Sequence, residues 1–418
     1  MQPPSRPAGF AAYITVTAAY WALMLTDGAL RMLVLLHFHT LGFSPVQLAY
    51  LFILYEIAGV VTNLSAGWIA ARFGLTVTLY AGLFLQVVAL LALALLDTSW
   101  GITASVVFVM LVQGLSGVAK DLAKMSSKSA VKILAPTNPG GLFRWVALLT
   151  GSKNAVKGCG FLLGAVLLAI FGFVSSVLSM ASFLFVILVV VVICMPAGLP
   201  VGCKSAKFSE VFSKNRNINW LSAARLFLFG ARDVWFVVGI PIYFYAVLSN
   251  GSIEGNRAAF FMIGTFMAVW TILYGVVQGW APHLLKAASR TEAELLAQAK
   301  IWVGLLIIVP VILACLVWIV PEPSTVLTAT IVLCLLVFGG IFAVNSALHS
   351  FLILSFTDAK RVTMDVGFYY MSNAAGRLIG SLLSGFTYQM GGLSLCLGTA
   401  AAMLGLSWIG VSKLRARG

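Results

Sequence analysis

The sequence predicts an all-α polytopic membrane protein with twelve transmembrane helices in two six-helix halves. Three observations carry that expectation. The first is composition: 61% of the 418 residues are hydrophobic, only 9% are charged, and the mean hydropathy is +1.04. Soluble domains are about 45–50% apolar and about 25% charged. A soluble globular enzyme is therefore excluded, as are disordered, collagenous and disulfide-scaffold chains. The second is the length of the apolar runs, which are continuous over residues 174–195 and 299–320. A spanning helix needs about 20 apolar residues, whereas a transmembrane barrel shows short segments of alternating hydrophobicity. The third is the distribution of loop charge.

The apolar segments fall at 13–39, 46–70, 75–96, 101–124, 143–171 and 174–195, and then at 218–248, 258–281, 299–320, 324–352, 366–389 and 392–412. The first run continues through Asp27 and Arg31 with no small-residue cleavage pattern, so it reads as a span and not as a signal peptide. The longest break, 196–217, holds Lys204, Lys207, Lys214 and Arg216. It divides the chain into an N-terminal half (1–195), a cytoplasmic linker (196–217) and a C-terminal half (218–418). Basic residues outside the spans concentrate at the termini and in even-numbered loops, among them Arg72, Lys128, Lys132, Lys286, Arg290, Lys360 and Arg361. Odd-numbered loops carry Asp97, Glu254 and Glu322, with Arg257 the lone base. The positive-inside rule then puts both termini in the cytoplasm, as an even number of spans requires.

The formal net charge is +14, from 26 basic and 12 acidic residues. In a membrane protein much of that is topology, so no nucleic-acid partner is implied. The informative charges lie inside the spans: the bases Arg31, Lys120, Lys124, Lys153, Lys157, Arg225, Arg232 and Arg377, and the acids Asp27, Glu56, Asp121 and Asp233. Each costs a few kcal/mol at the bilayer centre by insertion scales, so such residues face a cavity or one another. Lys120 and Lys124 are four apart, as are Lys153 and Lys157, and each pair shares a helix face. Arg225 and Arg232 lie two turns apart on one face. Bases outnumber acids, so something anionic is expected to complete the balance. Arginine's planar fork suits oxyanions and lysine acts as a point charge, which suggests a phosphate-like or carboxylate-bearing solute.

Other readings stay open at each position. Asp27 and Arg31 form an i,i+4 couple that reads equally as a structural ion pair. Lys120 and Lys124 could snorkel to the cytoplasmic edge, and Arg232 could be neutralised by Asp233. The acids are candidates for ion pairing or a proton relay. Tyr20, Trp21, Trp235 and Tyr369 could line the same cavity or simply pack. His37, His39 and His349 read as interfacial polar residues. No HExxH, GxSxG or Walker A sequence is present, so neither an enzyme nor an ATP-driven pump is expected. The six cysteines are scattered with no CxxC, and no metal or other cofactor is implied.

A weak internal repeat supports the two halves. Span one carries Asp27 and Arg31, and span seven Arg232 and Asp233. Span five carries Asn154-Ala155 with Lys157, and span eleven Asn373-Ala374 with Arg377. Duplicated transporters place their substrate at the interface of such repeats. The second-to-third loop, Gly67-Trp-Ile-Ala-Ala-Arg72-Phe-Gly74, resembles the loop signature of the major facilitator superfamily, with Ala71 where that family usually has Asp.

Four segments extend the resemblance: YWALMLTDGALRMLVLLHFHTLG (20–42), KMSSKSAVK (124–132), LFRWVALLTGSKNAVKG (142–158) and LSAARLFLFGARDVWFVVGIP (221–241). They resemble the ArsJ organoarsenical efflux permeases of bacterial arsenic-resistance operons. The resemblance covers the first seven spans; beyond residue 242 only the general architecture matches. It implies a bacterial inner-membrane permease exporting 1-arseno-3-phosphoglycerate. Glyceraldehyde-3-phosphate dehydrogenase would be the functional partner that makes this substrate from arsenate. An exporter or exchanger of another organophosphate or organic anion is the alternative. The resemblance carries no contact residues with it, and the candidate site is the charge set read from the spans.

Overall fold

The structure, a computed structural model, describes residues 6–97, 99–134, 141–195, 213, 215–286, 291–320, 322–356 and 362–416. Most of the expected linker, 196–217, lies outside the described residues. The first half comprises α1 (Arg6–Thr40), α2 (Pro45–Tyr50), α3 (Ile53–Phe73), α4 (Leu75–Leu93), α5 (Ile102–Leu134) and α6 (Gly141–Cys194). The second comprises α7 (Arg216–Val234), a π-helical turn (Trp235–Gly239), α8 (Ile240–Leu248), α9 (Ile253–Leu284), α10 (Glu292–Ile319), α11 (Thr325–Phe356) and α12 (Val362–Ser412).

Among the described residues, ten helical stretches are long and apolar enough to cross a membrane. They supply twelve spans, because two of them are double. The 54-residue α6 is broken at Gly172, whose φ of 73° lies in the left-handed region. The 51-residue α12 is broken at Gly391 and Gly392, the latter with φ 60°. A side chain would clash there with its own backbone, and glycine avoids that. The breaks fall where the sequence places the boundaries between spans five and six and between eleven and twelve. The chain is thus an all-α multi-pass membrane protein with two six-helix halves.

Two spans depart from the continuous helices expected. The second is split into α2 and α3; Ser44 caps α2 in a capping box with Gln47, and the chain turns again at Leu51-Phe52. The seventh changes register through the π turn. Pro241 has no N–H to donate one turn back, and the wider turn before it absorbs the mismatch. Ser384 Oγ accepts hydrogen bonds from Val238 N at 3.1 Å and Gly239 N at 3.2 Å, tying this turn to α12.

Close helix contacts are built alike in the two halves. A side chain on Gly164 would collide with the Ala29 carbonyl oxygen, and one on Gly160 with that of Leu25. In the second half, Gly376 faces the Leu226 carbonyl and Gly380 that of Gly230 in the same way. Small residues let backbones touch, which replaces the missing hydrophobic drive between helices in lipid. These seams fix α6 on α1 and α12 on α7, and so aim Lys157 and Arg377, each three residues before a seam glycine, at the molecular centre. Where α1 ends, the halves are packed shut: His39 meets Tyr245 edge-on at 4.7 Å, and Gly385 lies against Pro45 and Ala49. Phe84, Leu111, Ile193, Val276 and Trp318 are exposed, as expected where helices face lipid.

Candidate functional site: a cationic cavity between the halves

A cavity of about 180 Å³ lies between the two halves. All eight intramembrane bases line it: Arg31 from α1, Lys120 and Lys124 from α5, Lys153 and Lys157 from α6, Arg225 and Arg232 from α7, and Arg377 from α12. Four buried carboxylates accompany them. Asp27 Oδ2 accepts from Lys157 Nζ at 2.6 Å, and its Oδ1 accepts from the Tyr55 hydroxyl at 2.6 Å. Asp121 Oδ1 accepts from Lys124 Nζ at 2.6 Å, and the same ammonium reaches Asn63 Oδ1 at 2.5 Å.

The other two carboxylates belong to a chain of charges that crosses between the halves. Glu56 Oε1 accepts from Arg31 Nη1 at 3.2 Å and from Arg377 Nη2 at 2.6 Å. Arg377 Nε also reaches Asp233 Oδ2 at 3.3 Å. Asp233 Oδ1 in turn holds Arg232 through Nε at 2.6 Å and Nη2 at 2.5 Å. Arg31, Glu56, Arg377, Asp233 and Arg232 thus form one ionic ladder, and its central rung joins α3 to α12.

Lys120 and Arg225 are different. No carboxylate of the described residues lies within 4.0 Å of either charge. Lys120 Nζ sits 3.9 Å from the centre of the Tyr55 ring. Arg225 is held by neutral acceptors, Asn373 Oδ1 at 3.0 Å and the Ser346 carbonyl and hydroxyl oxygens at 3.1 Å, with the Phe229 ring 4.0 Å away. Eight cations against four carboxylates leave the cavity with a formal excess of four positive charges.

Several expectations need correction. The Asp27–Arg31 couple within one helix is not formed; Asp27 turns to Lys157 and Tyr55, and Arg31 to Glu56. Acids and bases on neighbouring helices come closer than a partner one turn along the same helix. Of the four aromatics, Tyr20 lines the cavity. Trp235 instead lies fully buried among Trp270, Phe236 and Phe338, Tyr369 is buried behind Arg225, and Trp21 donates to Ser152. His349 is not interfacial: it is fully buried on α11, and neither ring nitrogen has a hydrogen-bond partner among the described residues. Sequence reasoning missed Tyr55, Asn63, Ser346 and Gln278, the last lining the cavity and donating through Nε2 to Ser346 Oγ at 3.1 Å. Tyr55 adjoins Glu56, but nothing in a span distinguishes a tyrosine that supports a site from one that packs.

The sequence matches no protein-family profile, and it matches no curated protein. Solved structures do resemble it. One is a mutant of the nucleoside transporter NupG, with TM-score 0.67, 14% identity, and 97% of this chain and 98% of that one covered. Another is a bacterial homologue of the iron transporter ferroportin in an outward-facing state, with TM-score 0.64, 15% identity, and 96% and 99% covered. The chain thus shares its fold with these two transporter structures over nearly its whole length. The cationic cavity lies between the two six-helix halves of that fold.

Proposed function

We propose that the protein is a membrane transporter that moves a small organic anion across the bilayer by alternating access of its two halves. The observation that carries this reading is the cavity itself, with eight basic side chains against four carboxylates. Such an excess is expensive in a low-dielectric site unless an anion completes it. An uncharged solute would use none of it. On this reading the eight bases are the substrate-binding set, the carboxylates position them, and residues 196–217 link two bodies that rock about the cavity.

The sequence resemblance narrows the solute to 1-arseno-3-phosphoglycerate, which carries an oxyanion at each end. The protein would then export from the bacterial cytoplasm across the inner membrane, with both termini cytoplasmic and a glyceraldehyde-3-phosphate dehydrogenase supplying the substrate. Another organophosphate or organic anion fits the same charge pattern. One elementary charge crossing 100 mV is worth about 2.3 kcal/mol, so an inside-negative potential favours efflux of a polyanion. The test is arsenate resistance in a sensitive bacterial strain, with transporter and dehydrogenase expressed singly and together. Resistance that needs both supports the narrower substrate. Equal resistance with and without the dehydrogenase removes it.

A further inference from the structure

We infer that Glu56 is a built-in competitor of the transported anion: in the empty cavity its carboxylate occupies the guanidinium pair Arg31 and Arg377, and the solute binds by taking that pair from it. The inference rests on the transporter reading and names the residue that regulates entry to the site.

The geometry turns on a single oxygen. Glu56 Oε1 accepts from Arg31 Nη1 at 3.2 Å and from Arg377 Nη2 at 2.6 Å. The two arginines come from different halves, α1 and α12, and by meeting on one carboxylate oxygen they are shown to lie within reach of one oxyanion. All three side chains line the cavity. Each guanidinium keeps a further nitrogen with no acceptor among the described residues, Nη2 on Arg31 and Nη1 on Arg377. Glu56 Oε2 accepts from no described residue either. Glu56 therefore engages the pair through one oxygen only and leaves donors of both arginines unused.

A guanidinium is built for two parallel hydrogen bonds to an oxyanion. A phosphate or carboxylate group that presents two or three oxygens makes contacts here that Glu56 does not. Displacement does not strand the protein's own charges. The Lys120 and Lys157 ammonium groups both act electrostatically on Glu56, so its carboxylate keeps cations beside it when the arginines are taken. Arg377 keeps Asp233 at 3.3 Å, which holds its guanidinium in place during the substitution. The contact that is lost, Glu56 to Arg377, is an ion pair between the halves, on α3 and α12. A ligand shifts a conformational equilibrium only through contacts that differ between its states. Substitution of the solute for Glu56 on Arg377 is such a difference, because it exchanges a tie between the halves for a contact with the cargo.

Equilibrium binding of labelled 3-phosphoglycerate, an anion with a phosphate and a carboxylate, to the detergent-purified protein provides the test. A purely supporting Glu56 and a competing one give opposite signs. A support that only positions the arginines weakens binding when it is removed; a competitor strengthens it. The dissociation constant should fall about tenfold or more in Glu56→Gln, the equivalent of about 1.4 kcal/mol, and binding seen in that variant alone is the same result in its extreme form. Unchanged or weaker binding in Glu56→Gln overturns the competition and leaves the anion site standing. No saturable binding to the wild type or to either Glu56 variant overturns the reading of a phosphate-bearing cargo and the competition with it. Asp121→Asn removes the same charge from the same cavity but not from the arginine pair, and should tighten binding less than about threefold. A gain there equal to that of Glu56→Gln reduces the effect to the general field of the cavity and overturns the assignment. If Glu56→Gln fails to fold, Glu56→Asp decides. It keeps the charge and draws it back by one methylene, so its hold on the arginines weakens and binding should tighten about threefold; unchanged or weaker binding in it overturns the competition.

Discussion

Replacing Glu56 by glutamine removes one negative charge and almost no volume, and it tests whether the ladder holds the halves together. Glu56 is 1% exposed and accepts from two arginines that are themselves only 13% and 18% exposed. Breaking a buried ion pair by removing one partner costs about 3–5 kcal/mol, because a charge is left behind. Three features put Glu56→Gln at the low end of that range. The amide oxygen still accepts one hydrogen bond. Arg377 keeps Asp233 at 3.3 Å. Arg31 keeps the Phe52 ring 4.9 Å from its guanidinium carbon. The expected loss is therefore about 3 kcal/mol, and in a chain of this size it should lower the apparent melting temperature by about 3 °C. Thermal unfolding of the detergent-purified variant, at one scan rate with the wild type, reads this directly. A cycle with Arg377→Gln then isolates the pair. Residues in contact couple by about 0.5–3 kcal/mol, so the double variant should lose about 1 kcal/mol or more less than the sum of the singles. A Glu56→Gln melting point indistinguishable from wild type, or strictly additive singles, would refute the claim that this rung is an energetic link.

Topology and helix packing give two further expectations. Reporter fusions at residues 250 and 210 should report opposite sides of the membrane, outside and inside, and the same side for both would overturn the six-plus-six arrangement. Gly164→Val and Gly376→Val should each cost about 3 kcal/mol or more in thermal unfolding, because the new side chain meets a carbonyl oxygen of the neighbouring helix that cannot retreat. Gly405→Ala, where an added methyl group meets nothing within 4 Å, should leave the melting point unchanged or slightly raised.

The number and order of the spans were legible in the sequence because long apolar runs and alternating loop charge are local signals. So were the boundaries at Gly172 and Gly391-Gly392, even though the helices run on almost without interruption there. The gathering of the intramembrane bases was legible as well, since a charge inside a span has few places to point. Partner choice was not. Asp27 has a base four residues on, yet it pairs with Lys157, 130 residues away, because α1 and α6 meet closely at Gly28, Gly160 and Gly164. Sequence spacing ranks partners along one helix; it cannot say which neighbouring helix stands opposite. The neutral supports were hidden for a related reason. Asn373, Ser346 and Tyr55 belong to residue types that serve equally in packing and capping, and only tertiary position separates the uses.

The central rung of the ladder also sets an order of events during synthesis. Glu56 and Arg377 are separated by 321 residues. At about 5–20 residues per second, roughly 16–64 s pass between the making of one and the arrival of the other. An acid waiting that long in a growing membrane domain would be costly if it stood alone, and it does not. Arg31 is made before Glu56 and binds the same oxygen that Arg377 later shares. Asp233 has Arg232 immediately before it in the chain and on its carboxylate in the finished fold. Each half thus carries its own temporary counterion. Arg377, arriving last, meets two carboxylates that are already held in place, and closing the bundle converts two local pairs into one continuous tie.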